Sequence, residues 1–154
     1  MDIGTTIIGV LMILLCSIPF VVFTIKNSNK RKQNFQNLFD VAKENECIIS
    51  QKEHWNHHIL GIDENSKTLF FSVNPPNKQS YSIIRLNEIQ QVNCLNNKSN
   101  NVLDLIGIEL VFSAANQPNL ILEFYNASKS FSLSNELELV QKWHSIIARN
   151  SNSN

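Results

Sequence analysis

Apolar and polar residues follow three different rhythms along this chain. The first is no alternation at all. Ile3 to Ile25, IGTTIIGVLMILLCSIPFVVFTI, holds 23 residues without a charge, and roughly 20 apolar residues suffice to cross the hydrocarbon core of a bilayer. In lipid the backbone must satisfy its own hydrogen bonds, so this run is expected as a helix, with Pro19 a point at which it can kink. The second rhythm is helical. Phe35, Leu38, Phe39 and Ala42 fall at i, i+3, i+4 and i+7, the stripe of an amphipathic helix. Two readings fit that stripe: a helix lying on a membrane surface, and a connector packing on the domain C-terminal to it. The second is favoured because Asp40 and Glu44 make the polar face mixed.

The third rhythm has period two. Cys47 to Trp55 reads as a strand or an extended helix end. Ile59–Ile62 and Thr68–Val73 flank the polar turn Asp63-Glu64-Asn65-Ser66-Lys67 and form a hairpin. Asn74-Pro75-Pro76-Asn77 breaks the chain. Strands are expected over Tyr81–Leu86 and Ile89–Leu95, then an Asn-rich loop over Asn96–Asn101. Strands over Leu105–Phe112 and Leu120–Tyr125 come next, with Ile106, Ile108, Leu110 and Phe112 on one face. Helical spacing returns at the end: Leu137, Val140, Trp143, His144 and Ile147 share a stripe, and Asn135 with Glu138 has the spacing of a capping box. Asn150 to Asn154 reads as a frayed tail.

Charge adds an orientation. The chain carries 13 basic and 13 acidic residues, but Lys26, Lys30, Arg31 and Lys32 cluster directly after the apolar run. By the positive-inside rule that end stays in the cytoplasm and the short N-terminus crosses, so these four residues are the expected membrane-interface site. A cleaved signal peptide would place its positive charge before the apolar core, not after it. From Gln33 onward nine basic residues stand against twelve acidic, which argues against nucleic acid as a partner. Cys16, Cys47 and Cys94 form no paired motif and read as reduced thiols. Cys94, among Ile89, Val92 and Leu95, is expected as a buried, inert one.

A run of short strands closed by one amphipathic helix predicts an α+β, mostly β architecture. It would be a bent antiparallel sheet or half-barrel with Trp143 as the plug of its lid. In GIDENSKTLFFS, IIRLNEIQQV, IGIELVF, LILEFY and the Trp143 helix, the segment Cys47–Arg149 resembles the pleckstrin-homology-like (PH-like) domain of small membrane-anchored bacterial proteins. The resemblance implies four parts: a transmembrane helix over residues 1–25, a basic juxtamembrane connector over 26–46, a PH-like domain over 47–149 and a disordered tail over 150–154. It also implies a protein-interaction role on the cytoplasmic face of the cell membrane, single-pass, with another membrane protein as a partner. The turn Asp63–Lys67 is net acidic, unlike the basic first hairpin of phosphoinositide binders.

Candidate chemistry is sparse. His54, His57 and His58 cluster as HWNHH and could supply imidazole ligands to zinc, but His57 and His58 would point to opposite faces of a strand. Glu109 and Glu123 lie on neighbouring strands and could face each other, although outward alternation explains both. His144 reads as a boundary residue of the last helix. No serine lies in a nucleophile elbow, and the four glycines build no phosphate loop. The expected function is therefore a non-enzymatic, cofactor-free interaction module, with Trp55 as the candidate partner contact or, equally, a residue packed on the connector helix. Membrane-surface lipid binding and a metal protein or enzyme using the histidine cluster are the alternatives.

Overall fold

A computed structural model describes residues 3–73, 81–99, 102–114, 116–129 and 133–151. The expected break at Asn74–Asn77, the loop residues Asn100 and Asn101, and Asn152–Asn154 lie outside the described residues. So do the side chains of residues 3–6, 9–10, 20–21, 23–27, 98–99 and 102–103, Lys26 among them. The chain divides into two compact units, residues 1–36 and 37–154.

Helix α1 covers Ile3–Glu44. In the first unit Ile7, Ile8, Leu11, Met12, Ile13, Leu14, Leu15, Ile18 and Val22 are all more than half exposed. Among the described residues no helix is long and apolar enough to cross a membrane; the uncharged run over 3–25 is a property of the sequence.

The second unit is α+β and mostly sheet. Strands β1 (Gln51–Trp55), β2 (His58–Asp63), β3 (Thr68–Val73) and β4 (Tyr81–Arg85) form one antiparallel meander. A single 3₁₀ turn, Leu86–Glu88, leads into a second antiparallel sheet of β5 (Ile89–Ser99), β6 (Val102–Phe112) and β7 (Leu120–Asn126). Helix α2 (Glu136–Ser151) packs on all three strands of the second sheet and on the 3₁₀ turn. Register explains the faces. Leu60 pairs with Phe71 and Ile62 with Leu69, which in turn pairs with Ile84. These residues join Ile106, Ile108, Leu110, Leu122, Phe124 and the α2 residues Leu139, Val140, Trp143, Ile146 and Ile147 in one core.

β2 is buried along its whole length, so its second face needs a cover too. Leu38, Val41 and Ala42, in the last turns of α1, supply it opposite Ile59 and Phe70. A side chain at Gly61 would put its Cβ 2.8 Å from Leu38 Cδ2; the glycine is what lets the helix approach. The stripe expected at 35–42 thus packs on the domain from Leu38 onward, with Phe39 partly exposed beneath Lys52, whose Nζ lies 4.2 Å from the ring centroid.

Several boundaries differ from expectation. β1 begins at Gln51, after a turn at Asn45 and Glu46. Ile48 N–H donates to Asp63 Oδ2 at 2.9 Å, and Asp63 Oδ1 accepts from Asn65 N–H at 2.9 Å in the β2–β3 turn. Burial pushes the Asp63 carboxyl up, but these hydrogen bonds and those from Ser66 outweigh it and the net direction is down. Asn96–Ser99 is strand, not loop, because it pairs with Val102–Ile106. On α2 the inward residue is Leu139 and Leu137 is 40% exposed. The side chain at the helix start that accepts a backbone bond is Glu136, from Ser134 N–H at 2.6 Å. The helix also runs past residue 149: Asn150 is buried, its Nδ2 donating to the Ile146 carbonyl. Cys94 is exposed, not buried. α2 reaches β5 at Val92, whose carbonyl accepts from His144 Nε2 at 3.2 Å. Desolvation by the sheet still pushes the Cys94 thiol up, away from a reactive thiolate.

Candidate functional site

The β1–β2 turn is two residues, Asn56 and His57, between the paired Trp55 and His58. Asn56 has φ of 44°, the left-handed conformation that asparagine tolerates and tight hairpins require. Its Nδ2 donates to Glu136 Oε1 at 2.9 Å, so the turn is fastened to the start of α2.

That geometry separates the three histidines. His54 pairs with Ile59 and points to the outer face, His57 sits exposed in the turn, and His58 shares the inner face with Trp55. Among the described residues no three His, Cys, Asp or Glu side chains converge to hold a metal ion. Trp55 is buried on the same inner face. It stacks on Phe124 with centroids 4.3 Å apart and donates Nε1–H to the Phe124 carbonyl at 3.1 Å. It is therefore neither an exposed anchor nor packed on α1, whose last turns cover the opposite face.

The Phe124 carbonyl is free for this bond because β7 is bulged. Ile106 pairs with Tyr125 and Gly107 with Glu123, leaving Phe124 outside the register. Gly107 is needed there, since a Cβ at that position would lie 2.7 Å from the Leu122 carbonyl oxygen.

Between the β1–β2 turn and β7 lies a cavity of about 460 Å³. One wall is Asn56, His57, His58 and Val73; the other is Glu123 to Asn126, with Lys129 at the rim. His58 is 9% exposed, and both ring nitrogens lack a hydrogen-bond partner. Its ring is stacked against Trp55 on the β1 side, at 5.3 Å, and Phe71 on the β3 side, at 6.0 Å. Both of its faces are thus covered, and both ring nitrogens are themselves buried. Glu123 faces it from β7. Asn126 Nδ2 donates to Glu123 Oε2 at 2.9 Å, and Lys129 Nζ lies 3.0 and 3.2 Å from the two carboxylate oxygens. Glu109 is not its partner; it is held separately by Asn93 and Asn119. Burial pushes the Glu123 carboxyl up, but the Asn126 and Lys129 hydrogen bonds outweigh it and the net direction is down.

Burial lowers the His58 imidazole, against the opposing pull of Glu123. The unfolded chain therefore takes up this proton first as pH falls. Stability contributed by neutral His58 is full above the ordinary value of about 6.5 and declines as pH drops from there toward the folded value, by up to about 1.4 kcal/mol per pH unit. His58→Leu should remove that decline and be at least as stable at neutral pH, since an unpartnered buried polar group is lost. Urea unfolding of both proteins across this range checks it; an unchanged slope in the variant would reject the assignment.

Sequence reasoning singles out Trp55 and His58 but misses Glu123 and Lys129 as their neighbours. The signal is present only in part: Lys129 lies six residues beyond Glu123, across a turn whose path the pattern does not fix. Comparison with protein-family models, with curated proteins and with solved structures finds no match to this chain.

Proposed function

We propose that this chain is a membrane-tethered interaction module: a single-pass anchor over residues 3–25 holding a PH-like domain at the cytoplasmic face of the cell membrane. One observation carries the tether. The described large apolar side chains between Ile7 and Val22 are exposed along α1 in an uncharged run, where water would oppose them and lipid would not. Lys30, Arg31 and Lys32 come next on the exposed surface of the same helix, and Lys26 precedes them in sequence, which supports a cytoplasmic domain. The order of four strands, three strands and a closing helix around Trp143 supports the PH-like reading.

Binding suits the cavity better than covalent catalysis. Among the described residues that line it there is no serine, threonine or cysteine, and its carboxylate Glu123 is already held by Asn126 and Lys129. Headgroup binding through the first hairpin is less well supported, because Asp63 is already engaged by Ile48, Asn65 and Ser66.

Alkaline extraction of membranes should leave the full-length chain in the pellet, and a reporter fused to the C-terminus should be active only in the cytoplasm. Release into the supernatant with the first 25 residues intact would overturn the tether. Reporter activity on the far side would overturn the orientation. Crosslinking in the native membrane should enrich a membrane protein; repeated absence of any enriched partner would overturn the interaction role.

A further inference from the structure

We propose that the cavity between the β1–β2 turn and β7 binds an organic cation bearing N–H donors, a guanidinium or primary ammonium group, and that Lys129 is its internal stand-in. The cavity belongs to the domain alone and takes the same ligand whether or not the chain is anchored.

Two acceptors define the ligand. One is the Glu123 carboxylate. The other is His58, which lines the cavity, nine-tenths buried, unpartnered, and fixed between Trp55 and Phe71. A neutral imidazole offers one lone pair to an N–H donor and does not repel a positive charge. An anion would meet the carboxylate, and an apolar ligand would leave both acceptors unsatisfied.

Lys129 already shows the chemistry. Its ammonium reaches both carboxylate oxygens, yet its side chain is 67% exposed. A pair that exposed contributes little, so an incoming cation can displace it at small cost. A ligand that also reaches His58 then gains a contact that Lys129 does not make. The cavity is thus closed by a weak internal competitor. The groups acting on His58 from around it are Glu123, His57, Lys129 and His54. Of these only Glu123 is negative, so protonating His58 places two cations against one carboxylate.

The test uses the full chain in a nonionic detergent, titrated with agmatine, cadaverine and N-acetyl-argininamide. Binding is read by equilibrium dialysis and by the intrinsic tryptophan fluorescence, with Trp143→Phe as the background in which Trp55 alone reports. Saturable binding is expected for the wild type, tightened about two- to fivefold by Lys129→Met, the range of an exposed ion pair, and weakened at least about tenfold by Glu123→Gln, the range of a charge-assisted contact. It should weaken only as pH falls below about 6.5, because burial places the His58 imidazole beneath that ordinary value. Binding of the capped arginine would identify a side chain presented by a polypeptide; binding of the diamine and agmatine alone would identify a free amine. Tetramethylammonium, which has no N–H, should not compete. Should Glu123→Gln fail to fold, Lys129→Met decides, because that side chain lies mostly in solvent. No saturation in either the wild type or Lys129→Met, weaker binding in Lys129→Met, or equal binding of tetramethylammonium would each overturn the proposal.

Discussion

Trp143→Ala should destabilise the domain by about 3–5 kcal/mol, the usual cost of truncating a fully buried large aromatic side chain. Small domains hold only about 5–15 kcal/mol in total, so much of the margin would be gone. Trp143 has no exposed surface and sits on α2 within the core to which both sheets contribute. Leu139, Val140, Ile146 and Ile147 surround it from the same helix, and they cannot fill its volume without moving the helix as a whole. The indole Nε1 is buried without a partner, which makes a second variant informative. Trp143→Phe keeps most of the apolar area and discards the unpartnered N–H, so it should cost only about 1 kcal/mol. Urea unfolding monitored by circular dichroism, with the slope of the transition held constant, measures both. Equal stability of the two variants would mean that α2 is not the lid of the core.

Period and burial explain which parts of this fold are legible in the sequence. Ile106, Ile108, Leu110 and Phe112 alternate over a long strand with one face in the core, and both face and register come from that alternation alone. The β2–β3 hairpin is readable from its polar turn, where Asp63 does in fact organise the backbone. Helix α2 is readable from its period, but its inward face is rotated slightly from the expected one. Leu137 and Leu139 are both apolar, and only the approach of the sheets decides between them. Asn96–Ser99 escapes detection because asparagine is a poor strand former in isolation; pairing with Val102–Ile106 overrides that preference. The helix start is hidden for a related reason. Glu136 and Glu138 are equivalent in sequence, but Glu136 is the one within reach of Asn56 on the β1–β2 turn, a contact eighty residues long in the chain.

The site is the least legible part, for a physical reason. HWNHH looks like a cluster because the histidines are adjacent, and a tight turn between Trp55 and His58 sends them to different faces. What gives His58 its chemistry is β7, which carries Glu123 beside the bulge at Phe124. The bulge needs Gly107, which the sequence pattern marks only as one of four glycines unable to build a phosphate loop. A glycine permitting a 2.7 Å approach to a neighbouring carbonyl leaves no periodic trace.

Trp55→Ala is the second large expected effect, again about 3–5 kcal/mol from lost volume. Its consequences should extend beyond stability. The indole joins the two sheets: its Nε1–H meets the Phe124 carbonyl that the bulge leaves outside the β6 ladder, and its ring lies between Phe124 and His58. Trp55→Phe keeps a ring in that stack and loses only the hydrogen bond, a change of about 1 kcal/mol. The two variants should therefore separate in the titration of His58. In Trp55→Ala one face of the imidazole is uncovered, desolvation weakens, and its pKa should rise back toward the ordinary value of about 6.5. In Trp55→Phe it should stay depressed. Cation binding should show the same division, retained in the phenylalanine variant and lost in the alanine variant, because the imidazole is held neutral and in place only while both of its faces are covered. Proton NMR titration of the His58 ring in the two folded variants measures this directly. An imidazole that titrates identically in both would show that Trp55 braces the sheets without setting the chemistry of the cavity.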